Sequence, residues 1–396
     1  TRIREIIHIF ERSAYVGYTA TPFANVLISE SYEHPALGKT LYPRDFIMAL
    51  PKPEGHMGLD EFFPESVEDG QFFSQIEVVP VDHAEELRSF ESDTYVLDFE
   101  VPESLENAII DYLLSGAARR KRGEVGFHHS MLIHSKHLTT NQNPISRKVE
   151  ALVGHWNNHI LNEYSSEGSK LRERFRHRWE HCFESNPSTP ETWEDISDDL
   201  MLFIHEGYSV MEINSKSEHD LDYGNYHHEG LRVIAVGGNR LSRGLTLEGL
   251  CSTYFIRESR MYDTLTQMGR WFGFRPGYSD LVRLHVTPTL LEWFSWITGV
   301  ERELRNDIER YGQTGMKPSQ LAVRVMKHRR MLPTSPGKMR DARAFSGGMD
   351  ASCPRMKKFL YHSIPELREN LSITSQFLTS LGAPGENEID ETLLWR

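Results

Sequence analysis

Apolar and polar positions recur along this chain with two different periods, and the switching between them marks out an α/β protein. Near the front, Ile3, Ile6, Ile7 and Phe10 fall at helical spacing and run into an apolar, β-prone segment at 14–18, so a short amphipathic helix feeding a strand is expected. Residues 29–100 lose periodicity and break into Pro, Gly and acidic positions, which reads as an insertion with little regular structure. Order returns at Pro102: Leu105, Ala108, Ile109, Tyr112 and Leu113 share one face, and basic residues followed by Gly123 close the helix. Residues 131–133 then make a short buried strand ending in polar Ser135, Lys136 and His137, and a long helix is expected from about Ser146.

Residues 165–194 carry no clear pattern. After them the chain alternates: helix 193–205, strands 208–213, 231–236 and 252–256, helix 262–272, strand 281–286. Alternation of this kind implies a mainly parallel sheet covered on both faces, because parallel neighbours need crossovers. Functional residues in such sheets gather beyond the carboxyl ends of the strands. The loops after Ile133, Val236 and Val286 are therefore the places to search.

Composition narrows the class without deciding it. The 396 residues suffice for two or more domains, and no run approaches the ~18 apolar residues of a membrane span. No signal peptide is recognisable at the front, so no membrane association and a cytoplasmic setting are expected. Cys182, Cys251 and Cys353 lie far apart without a CxxC pair, which excludes a disulfide framework and a thiolate zinc site. The net charge of -13 is unevenly spread. Residues 77–106 are acidic with Arg88 their single cation, whereas 324–343 carry Arg324, Lys327, Arg329, Arg330, Lys338, Arg340 and Arg343 against Asp341 alone. That basic stretch is a candidate phosphate-binding surface, with Arg329 and Arg330 at its centre, or else a solvated helix face.

Three segments carry the chemistry. YTATP, VGGNRLSRGLTLEGL and DTLTQMGRWFGFRPGY, in that order, resemble motifs three, five and six of superfamily-two helicases and translocases, nucleic-acid motors built from two RecA-like domains. The two longer segments together resemble more closely the Z1 (Z-one) domain family, proposed endonucleases with a helicase-like core encoded beside bacterial restriction and defence genes. The resemblance implies that Arg270 is an arginine finger, with Arg275 a second candidate and Gln267 beside them. Phosphoryl transfer is catalysed mainly by positioning and electrostatics, and a guanidinium offers a permanent charge on a planar fork. The motif departs from the common pattern: Gln267 stands one position nearer Gly269, and Gly273 takes the place of the second arginine.

By the same resemblance, Thr19 and Thr21 link nucleotide state to the neighbouring domain. Arg243, Gly244 and Thr246 contact nucleotide or the nucleic-acid backbone, and Ser135 and Lys136 meet backbone phosphates. The phosphate-loop lysine and the acids that hold magnesium lie upstream of TATP in such motors. The chain thus reads as a piece that starts after them, and its C-terminal end also reads as cut. Gly38-Lys39-Thr40 is no substitute, because Glu33 occupies the position where a phosphate loop needs glycine.

For a nuclease or metal centre the residues offer little. HWNNH sets His155 and His159 one helical turn apart with no adjacent acid, so a pair of surface histidines is expected and no metal site. His128, His129 and His134 are expected to fill the surface around the strand at 131–133.

The expected architecture is α/β: residues 1–35 a remnant of a first RecA-like domain, 36–100 an insertion, 101–300 a second RecA-like domain with a parallel sheet, and 301–396 a helical C-terminal region bearing the basic segment. The implied function is the C-terminal portion of an ATP-dependent helicase or translocase acting on nucleic acid, DNA foremost, in restriction or phage defence. ATP and Mg would be bound by the parent protein and not by this chain alone, and defence-system proteins are candidate partners. Two alternatives stay open: an endonuclease with unrecognised catalytic residues, and a non-catalytic module binding nucleic acid or protein.

Overall fold

The computed structural model describes the chain except for residues 1, 8, 29–32, 35–37, 65–74, 90–99, 125, 137–138, 163, 214–220, 227, 239–245, 315–316, 319–324, 340–341, 343–363 and 381–396. It falls into two units, Thr1–Ala342 and Arg343–Arg396, and in the second the described part is a helix, Ile364–Ser380.

A six-stranded sheet organises the first unit. Its strands are β1 (Ile76–Val78), β2 (His129–His134), β3 (Ser209–Ile213), β4 (Arg232–Gly237), β5 (Leu250–Phe255) and β6 (Arg283–Val286), in the order β1-β6-β5-β2-β4-β3. Every pairing is parallel. β2, β5 and β6 are buried along their whole length, as strands of a sheet covered on both faces should be, although β2 carries His129 and His134 and β6 carries Arg283 and His285.

The helices that matter for function are α1 (Val81–Ser89), α2 (Glu103–Lys121), α3 (Thr139–Ile160), α4 (Ser166–Trp179), α5 (Trp193–Glu206), α6 (Tyr262–Met268) and α7 (Pro288–Thr314). α2 lies on one face, where the Ser252 hydroxyl donates to the carbonyl of Ala108 at 2.7 Å and the Tyr254 hydroxyl meets that of Ser104 at 2.9 Å. On the other face Phe255 packs against Trp271 and against Phe294 of α7, with ring centroids 5.1 and 6.1 Å apart. α5 begins at a capping box, Thr192 with Asp195, and ends at Gly207, whose φ of 87° only glycine adopts readily.

Four expectations need correction. The segment at 14–18 is no strand: Tyr15, Val16 and Tyr18 are exposed, and no described strand lies beside them to complete a ladder. The insertion is not irregular throughout, since it supplies β1, an edge strand on β6, and then α1. α6 stops at Met268 instead of continuing to Phe272, because Gly269, a weak helix former, caps it. The described part of the basic stretch is also no helix. Residues 325–339 form an irregular strap held on α6: Tyr262 Oη accepts from the backbone of His328 (2.8 Å), Leu332 N donates to the Arg260 carbonyl (2.7 Å), and the Thr334 hydroxyl donates to Asp263 (2.8 Å). Gly38 and Lys39, meanwhile, pair with His34 and Glu33 in a two-residue antiparallel ladder, not in a strand-to-helix loop.

Candidate functional site at the carboxyl ends of the strands

The chain leaves β2 toward the β3 edge, returns through β4, and crosses to β5 on the other flank of β2. The loops after β2 and β5 therefore diverge, which opens the kind of crevice where ligands of parallel sheets bind. A cleft of about 280 Å³ lies there, lined by Arg88, Ser135, Lys136, Arg257, Glu258 and Ser259. Three of the six are cations. The single acid, Glu258, accepts from Arg88 at 2.9 Å.

His134 ends β2 behind this cleft and is fully buried. Arg257 Nη1 lies 3.0 Å from its Nε2, and since an arginine can only donate, Nε2 is the acceptor and Nδ1 carries the proton. That Nδ1–H finds no partner among the described residues. Burial, then the charges of Arg257 and Arg270, push the His134 imidazole down to about 3. Arg270 thus belongs to the same electrostatic neighbourhood. Burial also draws both arginines below the usual guanidinium range, although they stay charged at any neutral pH.

The backbone at Arg270 is anchored on both sides. The residue follows Gly269 and stands between Met268 and Trp271, both fully buried. Arg275 has a different position: its guanidinium donates to the carbonyls of Leu250 (3.2 Å), Phe274 (2.7 Å), Arg270 (3.3 Å) and Trp271 (3.3 Å) and so braces the loop that carries Arg270. Gln267 Nε2 donates to the hydroxyl of Thr21 at 3.1 Å. Thr19 accepts from the backbone N–H of Thr21 at 3.0 Å in a local turn, and Phe23 packs edge-on against Tyr262 of α6 at 5.7 Å. The TATP segment and α6 are in this way one assembly.

Of the other expected residues, Ser135 is buried, Lys136 half-buried, and both line the cleft. Arg329 and Arg330 are exposed on the strap over α6, and Thr246 is exposed after the β4 loop. Arg243 and Gly244 lie outside the described residues. Arg257 and Arg88 line the cleft without having been expected there. Arg257 was open to the same logic as Lys136, being among the first polar residues after a buried strand, whereas Arg88 gave no signal because its helix sits in the acidic stretch. His129 and His134 are buried, and not surface filling as expected. His129 donates from Nε2 to the Tyr112 carbonyl at 2.8 Å, and burial, then Arg119, hold its imidazole well below its ordinary value.

These two histidines set an acid limit on stability. The unfolded chain takes up a proton at each below about pH 6.5, while the folded chain resists until far lower, so stability rises with pH across that window. Going from pH 7 to pH 5 is expected to cost about 2 kcal/mol per histidine. Denaturant titrations at the two pH values check this, and His134→Leu should remove its share of the difference.

A family model described as the Z1 domain matches residues 104–332, more than half of the chain, from the first turn of α2 to the strap residue Leu332. Neither curated proteins nor solved structures give a significant match. No helix among the described residues is long and apolar enough to cross a membrane.

Proposed function

The chain belongs to the Z1 domain family, and from that premise we propose that it is the arginine-finger half of a nucleic-acid-dependent ATPase, a helicase or translocase acting on DNA in restriction or phage defence. In this reading the parallel sheet is RecA-like, a phosphate-loop domain supplies the lysine and the magnesium ligands, and Arg270 reaches the γ-phosphate of ATP held between the two. The observation that carries the proposal is the hydrogen bond from Gln267 to Thr21, which joins two motif segments 246 residues apart in the chain. Such a contact lets a shift at the nucleotide move α6, and with it Arg270.

The cleft supports the same reading. Arg88, Lys136 and Arg257 suit phosphate oxygens, of a nucleotide or of a nucleic-acid backbone, and the one acid among them is already engaged by Arg88. Such a donor set does not fit Mg²⁺, which needs oxygen ligands, so the metal belongs to the other domain. Within the chain Arg270 donates to the phosphate, Arg275 holds the Arg270 loop, and the Trp271 anchor limits its motion. The exposed apolar residues Ile3, Ile6, Ile9, Phe10 and Tyr18 suit burial against that phosphate-loop domain. The endonuclease reading has less support: among the described residues the one group of three or more converging metal-ligand side chains holds a single carboxylate.

In the full-length gene product, Gln267→Ala is expected to lower nucleic-acid-stimulated ATP hydrolysis about tenfold, the worth of one well-placed hydrogen bond. Nucleic-acid affinity should stay as it is. Stimulated turnover unchanged by the substitution would count against coupling through this contact.

A further inference from the structure

The fold brings an acid to the histidine pair of HWNNH. His155 and His159 lie one turn apart on α3, with ring centroids 4.5 Å apart. Glu167, in the first turn of α4, reaches both: it accepts from His155 Nε2 at 2.8 Å, and its other oxygen lies 3.4 Å from His159 Nε2. One ligand atom from each of the three lies within 4.8 Å of the others.

The junction of the two helices is built tightly around them. Ser165 caps α4 by accepting from the backbone N–H of Gly168 at 3.0 Å, and its Oγ lies 2.8 Å from Nδ1 of His159. A Cβ at Gly168 would come within 2.0 Å of the His159 carbonyl, so glycine is what lets α4 start this close to α3. Arg172 closes the corner by donating to the Ile160 carbonyl at 2.7 Å.

We propose that His155, His159 and Glu167 bind a divalent transition-metal ion, Zn²⁺ by preference, which clips α3 to α4 and keeps one coordination position open to water. Two imidazoles and a carboxylate favour Zn²⁺ over Mg²⁺, and three protein ligands leave the fourth tetrahedral position vacant. With Nε2 of His159 on the metal, its Nδ1–H donates to Ser165 Oγ, which fixes tautomer and ring orientation. The side chains of His155, His159 and Glu167 are 51%, 34% and 52% exposed, so an ion enters from solvent without rearranging the core. This centre is separate from the cationic cleft and from any nucleotide-bound magnesium.

The test is a titration of the tag-free, metal-stripped chain with Zn²⁺ against a chromophoric chelator. Wild type is expected to take one ion at this site, and Mg²⁺ is expected not to compete. His155→Ala/His159→Ala should lose more than the roughly 100-fold that an outer hydrogen-bond partner can be worth, and Ser165→Ala about tenfold. Zn²⁺ should raise the melting temperature of wild type and leave that of the double variant unchanged, while matching metal-free melts show that the variant folds. Absence of Zn²⁺ binding by wild type, or equal affinity and stoichiometry in the double variant, overturns the proposal.

Discussion

Replacing Arg270 with alanine in the full-length gene product is expected to reduce nucleic-acid-stimulated ATP hydrolysis by about 10³-fold or more, the range in which arginine fingers act. The size follows from where the charge sits. Arg270 is half-buried, so solvent screens it poorly, and Met268 and Trp271 fix its backbone from either side. Lysine at this position should recover little, because one point charge does not reproduce a planar fork. Arg275→Ala is expected to differ in kind: its guanidinium grips four carbonyls, so its loss should loosen the loop and lower the melting temperature as well as the rate.

The largest effect on folding is expected at Asp111. This residue of α2 is buried, accepts from Arg178 of α4 at 2.7 and 2.8 Å, and accepts from Nε2 of His285 on β6 at 2.9 Å. Arg283, also buried, lies over the Phe183 ring at 3.9 Å, and burial pulls it down to about 10. Asp111→Ala would leave Arg178 with the longer Glu77 contact at 3.5 Å and take the main counter-charge from buried Arg283, at a cost of about 3 kcal/mol. Denaturant midpoints check this, and Asp111→Asn should cost less because it keeps part of the hydrogen bonding.

The sign of the pH effect at Asp111 separates it from the histidines. Burial alone would raise its pKa, but the charge and hydrogen bonds of Arg178, then His285, hold it well below the usual carboxylate range. Its contribution is therefore fully present above the unfolded value of about 4 and is lost only as pH falls further. Destabilisation between about pH 6.5 and 5 is expected chiefly from buried His129 and His134, with a smaller share from partly buried His56, whose imidazole burial also lowers.

The parts of the fold legible in the sequence are those where burial acts on both sides of a run. Strands β2, β4 and β5 are short apolar segments between polar loops, and α5 announces itself by its Thr192 cap and terminal Gly207. β1 is hidden because an edge strand of three residues, with Val78 exposed, needs no pattern beyond a partner to pair with. At 14–18 the reverse holds: the run has strand-like residues, yet no described strand offers it a ladder. Candidate residues beyond strand ends, Ser135 and Lys136, could be placed by topology alone. The pairing of Thr21 with Gln267 and the approach of Glu167 to the histidines depend on how helices return in space, which one-dimensional spacing does not record.

The most direct measurement is phosphate release from ATP by the wild-type full-length gene product, with and without DNA, while plasmid integrity is followed in the same tubes. A DNA-dependent ATPase of this kind is expected to hydrolyse ATP with severalfold stimulation by DNA and to leave the plasmid intact, and the proposal rests on it. Phosphate release at background level, or nicking that proceeds without ATP, would contradict it.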